Sequence, residues 1–131
     1  MKRVFLDTSA LYSILTHTDK FHENTRKKYI SLIDSGYELW ITEWVFEECV
    51  SLIWYRTGKD NGIRTALWML EHFYLYRFEE WEIKEILKLS GESDASLSLV
   101  DFSLMYVVQK EKALVFTLDR ELKELLGSSA V

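Results

Sequence analysis

The stretch Val4–Leu11, VFLDTSAL, sets the fold of this chain, because an apolar strand pattern ends there at an aspartate and a helical pattern follows at once. The run RVFL (3–6) is typical of a buried strand. Asp7, at the end of that run, has two interpretations. An aspartate before a helix caps its first turn and stabilises it by about 1 kcal/mol. Alternatively, the carboxylate is held at the strand end for chemistry.

The alternation of strands and helices continues along the chain. Further strand patterns are ELWI (38–41), YLYRF (74–78) and ALVF (113–116). Helical patterns lie near 9–16, 20–35, 43–57, 61–72, 80–90, 98–111 and 120–126. Strands separated by helices pair in parallel, because each crossover needs a dozen or more residues. We therefore predict an α/β fold, a three-layer α/β/α sandwich around a parallel sheet of four or five strands.

Composition predicts one globular domain over residues 1–131. The chain has no proline, five glycines and no linker-like segment. No apolar run approaches the roughly 20 residues that span a bilayer, and the start MKR leads into no signal-peptide pattern, so we expect a cytoplasmic protein without membrane association. The single cysteine, Cys49, has no disulfide partner and no zinc-site companions, and we expect it to pack in the core.

The net charge of −5 argues against binding of nucleic acid over a broad positively charged surface. The charge is unevenly spread, however. Residues 1–30 hold six Lys and Arg against three acids, whereas residues 79–101 hold two lysines against seven acids. A local basic rim beside an acidic centre and a pair of ordinary solvated helix faces are both consistent with this pattern.

Two aspartates follow the first and the last strand patterns along the chain. Asp7 ends the first strand, and Asp119 follows ALVFTL, the last one. In open parallel sheets, ligands bind at the carboxyl ends of the strands, near the point where the strand order reverses. If these two strands are neighbours, both carboxylates face one crevice. Asp119 also heads a helical pattern, which makes a capping role equally available to it.

Two further acids lie on helices. Asp101 shares an otherwise apolar helix face with Leu97, Leu104 and Val108, and with Ser98 it also forms a capping-box pattern. Glu48 has Trp44, Val45 and Leu52 as helical neighbours, which predicts a place at the core margin. By contrast, Glu43, Glu47 and Ser51 line up at four-residue spacing and predict a solvated stripe.

Convergence of Asp7, Glu48, Asp101 and Asp119 at one end of the sheet would have a clear chemical meaning. Four neighbouring carboxylates repel one another, so such a cluster persists only with bound cations or raised pKa values. Ligands that are all oxygen suit Mg²⁺ or Mn²⁺, whereas zinc would recruit histidine or cysteine.

Four motifs of the chain resemble the PIN-domain ribonucleases, and especially the short prokaryotic VapC-type toxins. FLDTSAL is similar to the family's opening strand with its aspartate. ITEWVFEECVSL resembles the second motif, with Thr42 and Glu48; LSLVDFSLMYVV resembles the third, with Asp101; ALVFTLDREL resembles the fourth, with Thr117 and Asp119. The motifs occur in order through nearly the whole chain. Many relatives add a final strand where this chain has GSSAV, so the sheet edge and the oligomer geometry stay open.

The resemblance implies a metal-dependent endoribonuclease, the toxin of a toxin–antitoxin pair. Asp7, Glu48, Asp101 and Asp119 would hold Mg²⁺ or Mn²⁺, and the hydroxyls of Thr8, Ser9 and Thr117 would support these ligands or face the phosphate. The implied partners are an RNA substrate and an antitoxin protein. A homodimer is expected from the surplus of aromatic residues on helices two to four.

Other functions compete with this one. A non-catalytic PIN-fold module that binds RNA or protein keeps the fold without the activity. A phosphatase of the haloacid dehalogenase type needs a second acid two residues after Asp7, where this chain has Ser9. A receiver domain needs an acidic pair at the end of the first strand, where this chain has a single acid.

Overall fold

The structure, a computed structural model, describes residues 2–131. Its elements, in chain order, are β1 (Arg3–Leu6), α1 (Thr8–Leu15), α2 (His22–Asp34), β2 (Glu38–Thr42), α3 (Glu43–Thr57), α4 (Lys59–His72), β3 (Tyr74–Tyr76), α5 (Glu80–Glu92), α6 (Leu99–Glu111), β4 (Leu114–Phe116), α7 (Arg120–Leu126) and a 3-10 turn (Gly127–Ser129). Each predicted strand and helix is confirmed. The boundaries differ from the predicted ones by at most two residues.

The four strands form one parallel sheet in the order β3-β2-β1-β4. Phe5 of β1 pairs with Trp40 of β2 on one side and with Val115 of β4 on the other. The chain builds the sheet outward from β1 to β3, then returns to place β4 on the opposite side of β1. The strand order therefore reverses between β1 and β4, and the two strands that precede Asp7 and Asp119 are neighbours.

The end of the chain adds a rudiment of a fifth strand. Ala130 forms a single parallel bridge with Val115, and the Val131 N–H donates to the Val115 carbonyl oxygen at 2.9 Å. Gly127, with a φ of +55°, ends α7 and lets the chain turn back toward β4. The described residues thus contain four full strands, and one bridge partly covers the outer edge of β4.

The core is built around β1. Val4, Phe5 and Leu6 are fully buried, and the helices pack as two groups, α1 to α4 and α5 with α6. Cys49 is buried in the first group, as predicted, and this burial, together with the charge of Glu48, raises the pKa of its thiol to about 12. Between residues 2 and 131, no helix has the length and apolar character needed to cross a membrane.

Candidate active site at the carboxyl edge of the sheet

Asp7 lies at the centre of the edge formed by the carboxyl ends of β1 and β4. Its side chain is buried, with a residue exposure of 5%. Its Oδ1 accepts a hydrogen bond from the Thr8 N–H at 2.7 Å, so Asp7 does cap α1. Its own N–H donates to the Phe116 carbonyl oxygen at 2.9 Å, which continues the pairing of β1 with β4. The cap uses one carboxylate oxygen and leaves the other for different contacts.

The second oxygen of Asp7 receives two hydroxyl groups. Thr117 Oγ1 donates to Oδ2 at 2.6 Å, and Ser9 Oγ donates to it at 3.1 Å. Both hydroxyls are themselves positioned by the backbone after β4, because Ser9 Oγ accepts from the Leu118 N–H and Thr117 Oγ1 accepts from the Asp119 N–H, each at 3.0 Å. The carboxylate therefore has a defined orientation.

The electrostatic surroundings of Asp7 disfavour its charge. Burial is the largest effect and raises the pKa of Asp7 above its ordinary value of 3.8; the hydrogen bond from Thr117 opposes this, and the negative charge of Asp101 raises the pKa further. Hydrogen bonds from Thr8 and Ser9 lower it again, but the net direction is upward. In residues 2–131, Asp7 has no ion pair with a lysine, arginine or histidine. A buried carboxylate near a second acid, without a cation, is destabilising on its own.

Asp101 and Asp119 each begin a helix at the same edge. Asp101 is half-buried in the first turn of α6, and its predicted capping box with Ser98 is confirmed: Asp101 N–H donates to Ser98 Oγ at 3.1 Å, and Asp101 Oδ2 accepts from the Ser98 N–H at 3.3 Å. Asp119 is exposed and caps α7 by accepting from the Leu122 N–H at 2.9 Å. Capping leaves oxygen atoms of both acids unused.

The prediction that Glu48 lies at the core margin is wrong. Glu48 is exposed, because the buried side of α3 is formed by Val45, Cys49 and Ile53. Because a four-residue step is slightly more than one helical turn, the buried stripe winds around α3 and moves away from Glu48. The described contacts do not join Glu48 to any of the three aspartates. Of the other predicted acids, Asp101 is near enough to Asp7 for its charge to act on it, and Asp119 is connected to Asp7 only through its N–H, which donates to Thr117 Oγ1.

The predicted solvated stripe on α3 is only partly confirmed. Glu47 is exposed and accepts a hydrogen bond from Ser51 Oγ at 2.6 Å. Glu43 instead is half-buried, and its carboxylate accepts from the Phe78 N–H at 2.7 Å, which ties α3 to the segment after β3. Glu48 accepts no hydrogen bond in the described part of the chain, so its carboxylate is free where that of Glu47 is engaged.

The residues at this edge fit a hard divalent cation in their chemistry. As they stand in residues 2–131, no three side chains of the aspartate, glutamate, histidine or cysteine type are close enough to form a metal site. However, the donors are all carboxylate and hydroxyl oxygens, which Mg²⁺ and Mn²⁺ prefer. Thr8 Oγ1 is also buried without a hydrogen-bond partner in the described residues, which leaves one free polar group directly beside Asp7.

A second buried acid escaped the sequence analysis. Glu82, in α5, has an exposure of 2%, and its Oε2 accepts from Tyr76 Oη at 2.6 Å, Tyr106 Oη at 3.0 Å and Lys110 Nζ at 2.8 Å. We call these four residues the Glu82 cluster. Glu82 stands among other acids in EEWEIKE, and its only local signal is the capping box that it forms with Glu79.

The comparisons with known proteins agree with this fold. The sequence profile of the PIN domain family matches residues 4–126. No curated protein sequence matches the chain. Among solved structures, the chain is similar to Mycobacterium tuberculosis VapC20, described as a toxin that cleaves the sarcin–ricin loop, with 17% identity, a TM-score of 0.80, and coverage of 93% of this chain and 94% of that one.

Two further similar structures come from toxin–antitoxin systems. VapBC2 from Rickettsia felis, solved with a DNA fragment from its promoter, has 12% identity and a TM-score of 0.71, with 98% of this chain and 96% of that chain covered. A toxin–antitoxin complex from Klebsiella pneumoniae has 14% identity and a TM-score of 0.67, with 98% and 95% covered. At these identities, the likeness shows a shared fold.

Proposed function

This chain belongs to the PIN domain family, and on that basis we propose that it is a metal-dependent endoribonuclease and the toxin of a toxin–antitoxin pair. The observation that carries the proposal is the state of Asp7, a buried carboxylate with a raised pKa, a second acid nearby and no cationic partner in the described residues. A divalent cation would compensate this charge. The similar fold of a toxin that cleaves the sarcin–ricin loop supports RNA as the substrate, and we propose a cytoplasmic location for this activity.

The residues of the proposed site have three kinds of task. Ser9 and Thr117 orient the Asp7 carboxylate, and Asp101 adds a second negative charge beside it. Asp119 and Glu48 contribute exposed carboxylates from the starts of α7 and the second turn of α3. Bound Mg²⁺ or Mn²⁺ would supply Lewis-acid activation of water and would stabilise charge on the attacked phosphate.

The direct test is RNA cleavage by the purified protein. We expect hydrolysis of phosphodiester bonds in the presence of Mg²⁺ or Mn²⁺, and no hydrolysis in EDTA. Asp101→Asn should remove the activity, because it takes away one of the four carboxylates that would hold the metal ion. Cleavage that persists in Asp101→Asn, or in EDTA, would contradict the proposal.

Adjacent glutamates of α3 provide a matched pair. Both Glu47 and Glu48 are exposed, but Glu47 is engaged by Ser51, whereas Glu48 is free in the described structure. Glu48→Gln should abolish metal-dependent cleavage, and Glu47→Gln should leave most of it. The two substitutions change the same charge at neighbouring positions, so the reverse outcome would show that Glu47 is the functional acid.

A non-catalytic module is the second candidate, because the acids do not already form a three-ligand metal site in residues 2–131. Such a module would bind RNA or protein through the same fold. Its melting temperature need not respond to Mn²⁺, whereas that of the proposed nuclease must rise. A thermal melt with Mn²⁺ and with EDTA separates the two candidates.

An antitoxin and a second copy of the chain are the proposed protein partners. The similarity to a toxin–antitoxin complex supports the antitoxin. For the homodimer we propose the outer face of α4, where Ile63, Leu67 and Leu70 are 44%, 59% and 48% exposed at helical spacing. Light scattering should give about twice the chain mass of 15.6 kDa.

One substitution tests this dimer face. Leu67→Glu should give a monomer, because it places a charge in the centre of the apolar stripe. Leu87→Glu is the matched control, since Leu87 is 53% exposed on α5, in the other helix group. A monomeric wild-type protein at micromolar concentration would leave the α4 face to the antitoxin.

A further inference from the structure

A cleft of about 320 Å³ opens beside the proposed active site. Its lining includes Ser9 and Asp119 of the proposed site together with Tyr12, Phe21 and Arg56. We call it the side cleft. Because Ser9 contacts the Asp7 carboxylate directly, a polymer bound in the side cleft would lie next to that carboxylate.

Arg56 brings a positive charge to the side cleft. Its guanidinium carbon lies 5.2 Å from the centre of the Tyr12 ring, and it forms no ion pair in residues 2–131. An arginine stacked on an aromatic face keeps its N–H edge available, and that planar edge matches the geometry of a phosphate. No other lysine or arginine is among the residues that line the side cleft.

Phe21 brings an exposed aromatic face. It is 48% exposed, and Lys20 Nζ lies 4.9 Å from the centre of its ring. A single exposed phenylalanine is often only surface. Here, however, Phe21 also borders a second cleft of about 180 Å³, where Lys28 and Lys123 are found. An aromatic ring between two positively charged segments is the arrangement by which proteins hold single-stranded nucleic acid.

Two acids, Asp19 and Asp119, also line the side cleft. Asp19 Oδ2 already accepts from Ser13 Oγ at 2.9 Å and from the Phe21 N–H at 3.0 Å, so its carboxylate fixes the loop that presents Phe21. Asp119 belongs to the proposed metal ligands. A bound divalent cation would offset the charge of Asp119, and Asp19 and Arg56 are the other two charged residues of the lining.

We propose that the side cleft binds an unpaired segment of the RNA next to the cleaved bond, with Arg56 on a backbone phosphate and Phe21 stacked on a base. This inference rests on the proposed nuclease function and names the form of its substrate. A base can stack on Phe21 only when it has left its own helix, so the cleft selects single-stranded or looped RNA over duplex RNA.

The test compares variants in steady-state cleavage of a short single-stranded RNA with Mn²⁺. Loss of one phosphate contact should lower the salt dependence of binding by about one unit of log–log slope, and we expect Arg56→Gln to raise KM while leaving kcat nearly unchanged. Stacking on one base is strong enough that Phe21→Leu should raise KM roughly tenfold. Phe21→Trp should retain the wild-type KM.

Two controls make the test specific. Arg64→Gln removes the same charge from an exposed arginine of α4 that lines a different cleft, and it should leave KM unchanged. Binding of a labelled duplex RNA of the same sequence, measured by anisotropy in the Asp101→Asn background, should not respond to Phe21→Leu.

The outcomes separate this inference from the function on which it rests. RNA cleavage with equal KM values for Arg56→Gln, Phe21→Leu and Arg64→Gln would overturn the side cleft alone. The same result combined with loss of antitoxin binding in the first two variants would assign the cleft to a protein partner. A wild-type protein that neither cleaves nor binds RNA would overturn both proposals.

Discussion

Two carboxylates are buried in residues 2–131, and their surroundings are opposite. Asp7 is 5% exposed and Glu82 is 2% exposed. Burial alone would raise the pKa of Glu82, but hydrogen bonds from the Glu79 N–H, Lys110, Tyr76 and Tyr106 outweigh it and lower the pKa to about 2. At Asp7 the hydrogen bonds come from hydroxyls and one backbone N–H, and the pKa is raised overall. Similar solvent exposure thus goes with opposite pKa shifts, because loss of hydration dominates at Asp7 and hydrogen bonds dominate at Glu82.

Glu82 has two things that Asp7 lacks: the hydrogen bond from the Glu79 N–H, which lowers its pKa most, and a cation, Lys110. Lys110 contributes a charge-assisted hydrogen bond to Glu82, and its ammonium group also lies over the Trp81 ring, 4.9 Å from the centre. The Glu82 cluster is therefore electrostatically complete and ties β3, α5 and α6 together. The site of Asp7 has a defined geometry but lacks a positive charge of its own. We infer that Glu82 stabilises the fold and that Asp7 is available to an external cation.

The largest expected contrast is in catalysis. Asp7→Asn should lower kcat/KM for RNA cleavage by more than the roughly 100-fold that is typical for loss of a group supporting a metal ligand. Glu82→Gln should retain most of the activity at a temperature where it stays folded, because its contacts belong to the Glu82 cluster. Comparable losses in the two variants, measured with the same RNA, would remove the functional distinction between the two acids.

Metal binding should distinguish the two acids next. At a free Mn²⁺ concentration 100 times its Kd, binding adds about 2.7 kcal/mol to the free energy of unfolding. The melting temperature of wild type and of Glu82→Gln should rise accordingly, and that of Asp7→Asn should rise much less. Equal Mn²⁺ shifts in all three proteins would return Asp7 to the role of a helix cap.

Removal of the internal cation should convert the Glu82 cluster into a destabilising site. Lys110→Met leaves a buried carboxylate without its cation, and we expect a loss of roughly 2 kcal/mol in urea unfolding at pH 7, less than for a fully buried pair because Lys110 is partly exposed. The pKa of Glu82 is lowered from its ordinary 4.5 to about 2. Its contribution is therefore present above pH 4.5 and is lost as the pH falls toward 2.

A surface pair provides the control for that prediction. Lys84 and Glu80 approach to 4.0 Å on α5, with side chains 75% and 89% exposed. Lys84→Met should change the stability by no more than about 0.5 kcal/mol. If Lys110→Met behaved like Lys84→Met, the stabilisation of Glu82 would come from the Glu79 N–H and the two tyrosines without the cation.

The smallest expected effect is the most specific, because it has an unusual sign. Asp7→Asn should raise the free energy of unfolding in EDTA at pH 7 by less than about 1 kcal/mol, since asparagine caps a helix as well as aspartate and the charge penalty disappears. The penalty is full above the raised pKa of Asp7 and absent below its ordinary value of 3.8, so the gain should shrink as the pH is lowered. Glu82→Gln should destabilise under the same conditions, and a destabilised Asp7→Asn would contradict the comparison.

Local signals made most of the fold and part of the site predictable. The strand patterns that end before Asp7 and Asp119 predict parallel strands, and the caps at Asp7, Asp101 and Asp119 are readable from a few residues each. That the two strands are neighbours was only a condition in the sequence and is a finding of the structure. The exposure of Glu48 was not predictable from its flanks, because it depends on where the buried stripe of α3 drifts.

Features that depend on distant segments or on weak local patterns were missed. In the Glu82 cluster, Glu82 contacts Tyr106 and Lys110, which lie 24 and 28 positions further along the chain. In the sequence, Glu82 is only one acid within a charged run. The bridge of Ala130 to Val115 also has no local signal, since GSSAV lacks a strand pattern. Such contacts are decided by tertiary packing.

The bond from Thr117 to Asp7 has a consequence for the biosynthesis of the protein. It joins residues 110 positions apart, which a ribosome synthesising about 5 to 20 residues per second supplies roughly 5 to 20 s apart. During that interval β1 can pair with β2 but not with β4, and the Asp7 carboxylate has neither the Thr117 hydroxyl nor the backbone that positions Ser9. A nascent chain therefore carries no assembled site, and the proposed toxicity begins only when β4 has been translated and has docked against β1.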